Sequence, residues 1–284
     1  MKMVKRQGYQ WAAAICLMAG INTAQAAIDN GAPLIQAGGT GSAGELFLNV
    51  WDQAAATSYS IDLGTTVGDF LSGNLSPTFG HLDQRFIDWA ATTSDPLIFN
   101  VASNNSYVGF QDPNMGVLLS RRTGASDPGH ITVSTLLTWN TRVRDRAIAL
   151  NIAEVAQNPG ATATDYAANL SEVTTTGASS YFGYTFWTKT MGISGWDGSA
   201  KVRSSGVEDE TLDFYFVHSP GGSVVASTRA VFDKLEGQFS LDIANAKLVW
   251  TPTVTAVPLP GAVWLFLGGL VSLLRLQKRV VAEV

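Results

Sequence analysis

One cysteine in 284 residues, Cys16, and only three histidines limit the chemistry this chain can perform. Cys16 sits inside an apolar run that reads as a secretory signal. The exported chain would then hold no thiol, which excludes disulfides, thiol nucleophiles and thiolate metal sites together. His81, His130 and His218 are 49 and 88 residues apart, and neither a His-Glu-x-x-His helix nor a Gly-x-Ser-x-Gly elbow accompanies them. Positive charge is also scarce: residues 27–256 carry 12 Lys and Arg against 22 Asp and Glu. Such a surface repels phosphates, which argues against a nucleic-acid partner. No repeat of fixed period is present, which weighs against propellers and solenoids.

What is present begins with export. Lys2, Lys5 and Arg6 form a basic leader, Trp11 to Ile21 an apolar core of signal-peptide length, and Ala24-Gln25-Ala26 a small-x-small cleavage site. Residues 1–26 are therefore expected to be removed, with Ala24 and Ala26 marking the cut. Cys16 lacks the small residue before it that a lipoprotein signal needs.

A second apolar segment follows the body of the chain. Ala262 to Leu274 is 13 residues without charge or proline, and as a helix it would cover only about 20 Å. A bilayer core is about 30 Å thick. Extension to residues 261–276 helps if Arg275 snorkels its guanidinium to the headgroups. Arg275, Lys278 and Arg279 then form a cationic stop that favours the cytoplasmic side and leaves the preceding domain outside. Ahead of the helix, Pro258 and Pro260 fix φ and push their predecessors out of the helical region, so an extended strip remains at the membrane surface.

The pattern Val257-Pro258-Leu259-Pro260-Gly261, then Ala262-Val263-Trp264-Leu265-Phe266, a glycine pair and a basic end resembles the PEP-CTERM sorting signal in its Val-Pro-Leu-Pro variant. Leu259 stands where the usual form has Glu, and the match covers only about the last 25 residues. The resemblance implies a Gram-negative producer and transient anchorage in the inner membrane. It also implies an exosortase-like processing enzyme as partner, and a mature product at the cell surface or in an exopolysaccharide and biofilm matrix.

Between these signals, residues 27–250 read as one β-rich ectodomain, and 251–257, with Thr251-Pro252-Thr253, as a stiff tether leading to the sorting signal at 258–279. Alternation in Glu45–Asp52 and Ser58–Gly64 predicts a hairpin across Gln53 to Thr57. Further strands are expected at Leu97–Ala102, Val117–Ser120, Ile131–Trp139, Ser180–Thr188, Leu212–His218, Val224–Phe232, Gln238–Ile243 and Lys247–Trp250. Val143, Ala147, Ile148, Ile152 and Val155 recur at helical spacing between Asn140 and Asn158-Pro159-Gly160. A second short helix is expected at Asp165–Val173. The fold class is thus mainly β: an antiparallel sandwich or jelly-roll-like body with one or two short helices, plus the single C-terminal transmembrane helix.

No catalytic set emerges. Gly39-x-Gly41-x-x-Gly44 has dinucleotide-loop spacing, but a strand follows it where that loop needs a helix. His218, at the end of Asp213–His218, is the histidine to test first, although a strand-end surface histidine accounts for it better. Glu208, Asp209, Glu210 and nearby Asp213 offer oxygen ligands that suit calcium, or form a solvated acidic loop. Of Trp51, Trp89, Trp139, Trp187, Trp196 and Trp250, most fall on expected strands and read as core or sheet-face residues. Trp196 lies between glycine-rich turns, where its ring can stack on a sugar while Asp197 bonds a hydroxyl. The expectation is an exported, non-enzymatic matrix protein with no cofactor except the calcium option. The rivals are a secreted hydrolase of glycans or esters and a permanently anchored membrane protein.

Overall fold

The computed structural model of the protein describes residues 28, 44–72, 78–93, 96–105, 116–124, 131–157, 170–184, 206–222 and 225–253. In chain order these form β1 (Glu45–Asp52), β2 (Thr57–Thr66), α1 (Val67–Leu71), β3 (Thr78–His81), α2 (Gln84–Ala90), β4 (Ile98–Asn105) and β5 (Gly116–Arg122). There follow α3 (Val133–Gln157), β6 (Ser171–Thr175), β7 (Gly206–Val207), β8 (Thr211–His218), a 3-10 turn (Pro220–Gly222), β9 (Val231–Asp242) and β10 (Lys247–Pro252). The protein is mainly β, as expected. All pairings are antiparallel, in one curled sheet of order β3-β10-β9-β8-β5-β4-β1-β2-β6, with β7 paired to β4.

Two hairpins share one turn design. Asp52 Oδ1 accepts the Ala55 N–H at 2.8 Å and Asp242 Oδ1 accepts the Asn245 N–H at 3.1 Å. In each turn the next residue, Ala56 or Ala246, turns left-handed with φ of 52° and 49° and returns the chain to the ladder. The carboxyl of Asp242 is held below its ordinary range by its hydrogen bonds to Asn245.

Each sheet face is buried against its own helices. On one face α1 and α2 close a core of Leu48, Tyr59, Phe99, Phe214, Phe239 and Trp250, among others. Thr66 caps α1 by accepting the Asp69 N–H, and Asp83 caps α2 by accepting the Phe86 N–H at 3.0 Å. Phe70 of α1 then meets Phe214 at 5.1 Å and Trp250 at 5.0 Å between ring centroids, both edge-on. Gly237 is required beside this cluster, because a Cβ there would collide with the Trp250 indole. On the other face α3 covers Phe47, Ala102, Val117 and Leu119. Trp51, Trp89, Trp139 and Trp250 are all buried, as expected of core residues.

Four expectations need correction. Ile131–Trp139 is not a strand: Thr132 makes an isolated bridge to Arg229 and the helix begins at Val133, because Val133, Leu136 and Asn140 already lie on the stripe that α3 buries. Residues 180–184 are turns whose backbone groups bond Arg146 and Ser58 rather than a ladder, and residues 185–188 lie outside the described residues. Ser171–Val173, expected to end a helix, is strand β6, and residues 165–169 are outside the description. In 225–230 the chain turns, and β9 begins only at Val231.

Thr251 and Pro252, expected in the tether, pair with Gln238 and Gly237 as the end of β10. Chain contacts divide into Met1–Pro252 and Thr253–Val284, and of the second unit only Thr253 is described. Among the described residues no helix is long and apolar enough to cross a membrane.

Replacing Phe70 with alanine is expected to destabilise the protein by about 3–5 kcal/mol in urea unfolding, because the cavity would open at the centre of an aromatic cluster. A loss below about 1 kcal/mol would show that α1 merely rests on the sheet.

Candidate functional site

The most unusual chemistry among the described residues lies beneath α3. The helix buries Val133, Leu136, Asn140, Val143, Ala147, Leu150 and Glu154, spaced by three and four, with Trp139 and Arg146 alongside. Three of these nine are polar, and the sheet answers them. In register, Glu172 of β6 faces Ser60 of β2, Ser60 faces Asn49 of β1, and Asn49 faces Asn100 of β4. Alternation sends all four side chains to the α3 face, so a polar row crosses four strands.

Arg146 lies over that row with no solvent exposure. Its Nε and Nη2 donate to Asn49 Oδ1 at 3.0 and 2.8 Å, Nη2 donates also to Ser60 Oγ at 2.7 Å, and Nη1 donates to the Ser180 carbonyl. Ser60 Oγ donates to Asn49 Oδ1 at 3.0 Å and Asn49 Nδ2 to Asn100 Oδ1 at 2.9 Å. The guanidinium carbon sits 5.7 Å from the Phe182 ring centroid. Phe182 is itself fixed, its N–H donating to Ser58 Oγ at 2.9 Å, while neighbouring Tyr181 accepts the Trp51 indole N–H at 2.8 Å. The turn at 180–184 is therefore a cover whose own polar groups are taken by the row beneath it.

Three carboxyls share this interior. Glu172 Oε1 lies 3.8 Å from Arg146 Nη2, an ion pair without a direct hydrogen bond. Burial pushes Glu172 up to about 7, with Arg146, the Ser180 side chain and Arg85 pulling against it. Asp62 is also pushed up to about 7, by burial and then by Glu45. Burial, followed by the charges of Asp62 and Glu172, raises Glu154 well above its ordinary value. Burial lowers Arg146 to about 10, so it stays cationic at neutral pH. One fixed cation among three reluctant anions makes a sealed proton-holding cluster, and its chemistry is protonation and cohesion.

The residues singled out from sequence lie elsewhere. Glu210 pairs with Arg122 and accepts the Val207 N–H at 3.1 Å; Glu208 accepts the Leu97 N–H at 3.4 Å; Asp209 occupies the left-handed turn position with φ of 67°. Asp213, buried, holds Lys234 at 2.9 Å and accepts from Gln238 at 2.9 Å and Thr123 at 3.2 Å. These acids are divided among separate structural tasks. Among the described residues no three His, Cys, Asp or Glu side chains gather as a metal would require.

His218 ends β8 with Nε2 2.8 Å from Asp233 Oδ2, Nδ1 3.2 Å from the Ser219 carbonyl oxygen, and its ring stacked on Phe216 at 5.0 Å. The backbone of His81 pairs with Lys247 at the β3 edge. His130, Trp196, Asp197, Ala24, Ala26, Val257–Gly261, Arg275, Lys278 and Arg279 lie outside the described residues.

Fold and site together define a mainly antiparallel β protein with a charged interior on one side of its sheet. No family model, curated protein or solved structure matches the chain.

The raised carboxyls make stability depend on pH. The folded protein keeps protons that the unfolded chain has released, so the contribution of Asp62 and Glu172 is complete below their ordinary values of 3.8 and 4.5 and is lost as pH rises to about 7. The shifts correspond to roughly 3–4 kcal/mol per group over that window. Glu172→Gln is expected to flatten the slope of urea stability between about pH 4 and 7. An unchanged slope would remove Glu172 from the cluster.

Proposed function

We propose that this is an exported matrix-associated protein whose β-rich body is delivered by a cleaved signal and sorted by an exosortase-like enzyme through Val257–Arg279. The observation that carries the reading is that pattern: Pro258 and Pro260 ahead of a short apolar run, then Arg275, Lys278 and Arg279. In this reading residues 261–276 form a transient membrane helix, and Pro258–Gly261 is the strip the enzyme recognises. The curled sheet around its aromatic core serves as a sandwich-like body, and its role is non-catalytic adhesion within exopolysaccharide.

Two features support the non-catalytic part. The acids and the histidine that a hydrolase would draw on, Asp213, Glu210 and His218, are each held by neighbouring side chains. The strongest perturbation of carboxyl protonation sits in an interior that α3 and the 180–184 turn close off from substrate. The acidic surface also suits residence outside the cell better than binding to anionic polymers such as nucleic acid.

The test is the intact mass of the surface form in cells with and without an exosortase-like enzyme. With the enzyme, the wild-type product is expected to lack the segment from about Ala262 to Val284. The Pro258→Ala/Pro260→Ala variant is expected to retain it and stay in the membrane fraction. Normal maturation of that variant, or of the wild type in cells lacking the enzyme, would rule the route out.

A further inference from the structure

Ile28, the first of the described residues, belongs to no strand or helix and is held by α3. Its side chain is 1% exposed and lies in the apolar cluster of Ile131, Leu136, Trp139 and Ala147. Its N–H donates to Asn151 Oδ1 at 2.8 Å, and its carbonyl accepts from Asn151 Nδ2 at 3.1 Å. One primary amide, 123 positions away in sequence, thus takes both backbone groups of a single residue, as a neighbouring strand would. A protease cannot enter a backbone that is paired and a side chain that is in the core without local unfolding.

The seat lies next to the expected signal cut. That cut falls between Ala26 and Ala27, so a single residue separates the new terminus from Ile28. The nitrogen that Asn151 holds belongs to the Ala27–Ile28 peptide, and covalent geometry keeps the Ala26–Ala27 bond within about 6 Å of it. A processing enzyme that reads its substrate as extended backbone takes main-chain hydrogen bonds on both sides of the bond it cuts. Ile28 cannot give its N–H and carbonyl to such an enzyme and to Asn151 at once. We propose that the Ile28 seat on α3 sets the order of maturation: seating and signal removal exclude each other, so the cut after Ala26 precedes completion of this core, and a precursor that folds first is protected from it. This order rests on the cleaved-signal reading and adds to it a competitor for the junction within the protein itself. After the cut, the same contact holds the new terminus against the body at its second residue.

The experiment follows cleavage of the full precursor, residues 1–284, in detergent micelles by a purified bacterial signal peptidase, read as intact mass. Wild-type precursor diluted from urea into the enzyme is expected to be cut after Ala26, and the same precursor folded beforehand to be cut at least about tenfold more slowly. Folded Asn151→Ala is expected to be cut at least about tenfold faster than folded wild type, because two hydrogen bonds no longer oppose release of Ile28 and cleavage follows the population of the released form. Amide exchange checks that this variant remains folded: the Ile28 N–H is expected to lose protection while the Leu48 N–H of β1 keeps it. The wild-type comparison does not depend on the variant. Equal rates for folded and unfolded wild type, or for folded Asn151→Ala and folded wild type, would overturn the order while leaving the cleaved-signal reading intact. No cut after Ala26 even on dilution from urea would overturn both.

Discussion

A guanidinium removed from water must find its partners inside the protein, and Arg146 imposes that requirement on everything around it. Stripping such a charge of solvent costs several kcal/mol, recovered only with good geometry. Asn49, Ser60 and the Ser180 carbonyl supply the hydrogen bonds and Glu172 the opposing charge. The consequence is register. Slipping β1, β2 or β4 by one residue would place an apolar or aromatic side chain under Arg146 and send its partners to the aromatic core. The polar row thus acts as a key between α3 and four strands, where an apolar layer would accept several alignments.

Neighbouring features follow from this key. The 180–184 segment leaves the ladder pattern because Arg146 and Ser58 claim its backbone. Strand β6 is held on its inner side through Glu172 and Thr174, the latter within 3.2 Å of Ser58. From the other face Asp83 ties it to α2, capping the helix while receiving the hydroxyls of Tyr59 at 3.0 Å and of Ser171. Burial and then the nearby Asp83 charge keep the Tyr59 phenol protonated far into the alkaline range. Among the described residues the last strand of the sheet is therefore clamped from two helices, a poor arrangement for a movable lid and a suitable one for a rigid body.

Much of the sheet was legible because alternation is a local signal. Leu46, Leu48 and Val50 of β1 and Tyr59, Ile61 and Leu63 of β2 announce one buried face, and Asp52 and Ala56 close the expected hairpin. The other face is harder to read: Asn49 and Ser60 are polar, and only Phe47 and Trp51, on the same side, signal that it too is covered. The stripe of α3 was legible only in part. Val143 and Ala147 do face the core, but Ile148 and Ile152 are exposed, because the buried stripe spends positions on Asn140, Arg146 and Glu154. The short helices α1 and α2 lack a full apolar period and are set by their caps and by tertiary contact, which sequence pattern does not carry. For the candidate site, the readable clue was Arg146 and Glu154 lying within or beside a three-and-four apolar stripe; their partners on four distant strands were not inferable.

An interior that couples a helix to a sheet through charge suits endurance better than turnover. Its central claim is that Arg146 and Asn49 act as one unit. The most direct measurement is a double-mutant cycle in urea unfolding at pH 7 with Arg146→Met, Asn49→Ala and the pair. The expected coupling is at least about 2 kcal/mol, since a buried charged group loses most of its compensation with its principal acceptor. Single losses that add to within about 0.5 kcal/mol of the double would contradict the account.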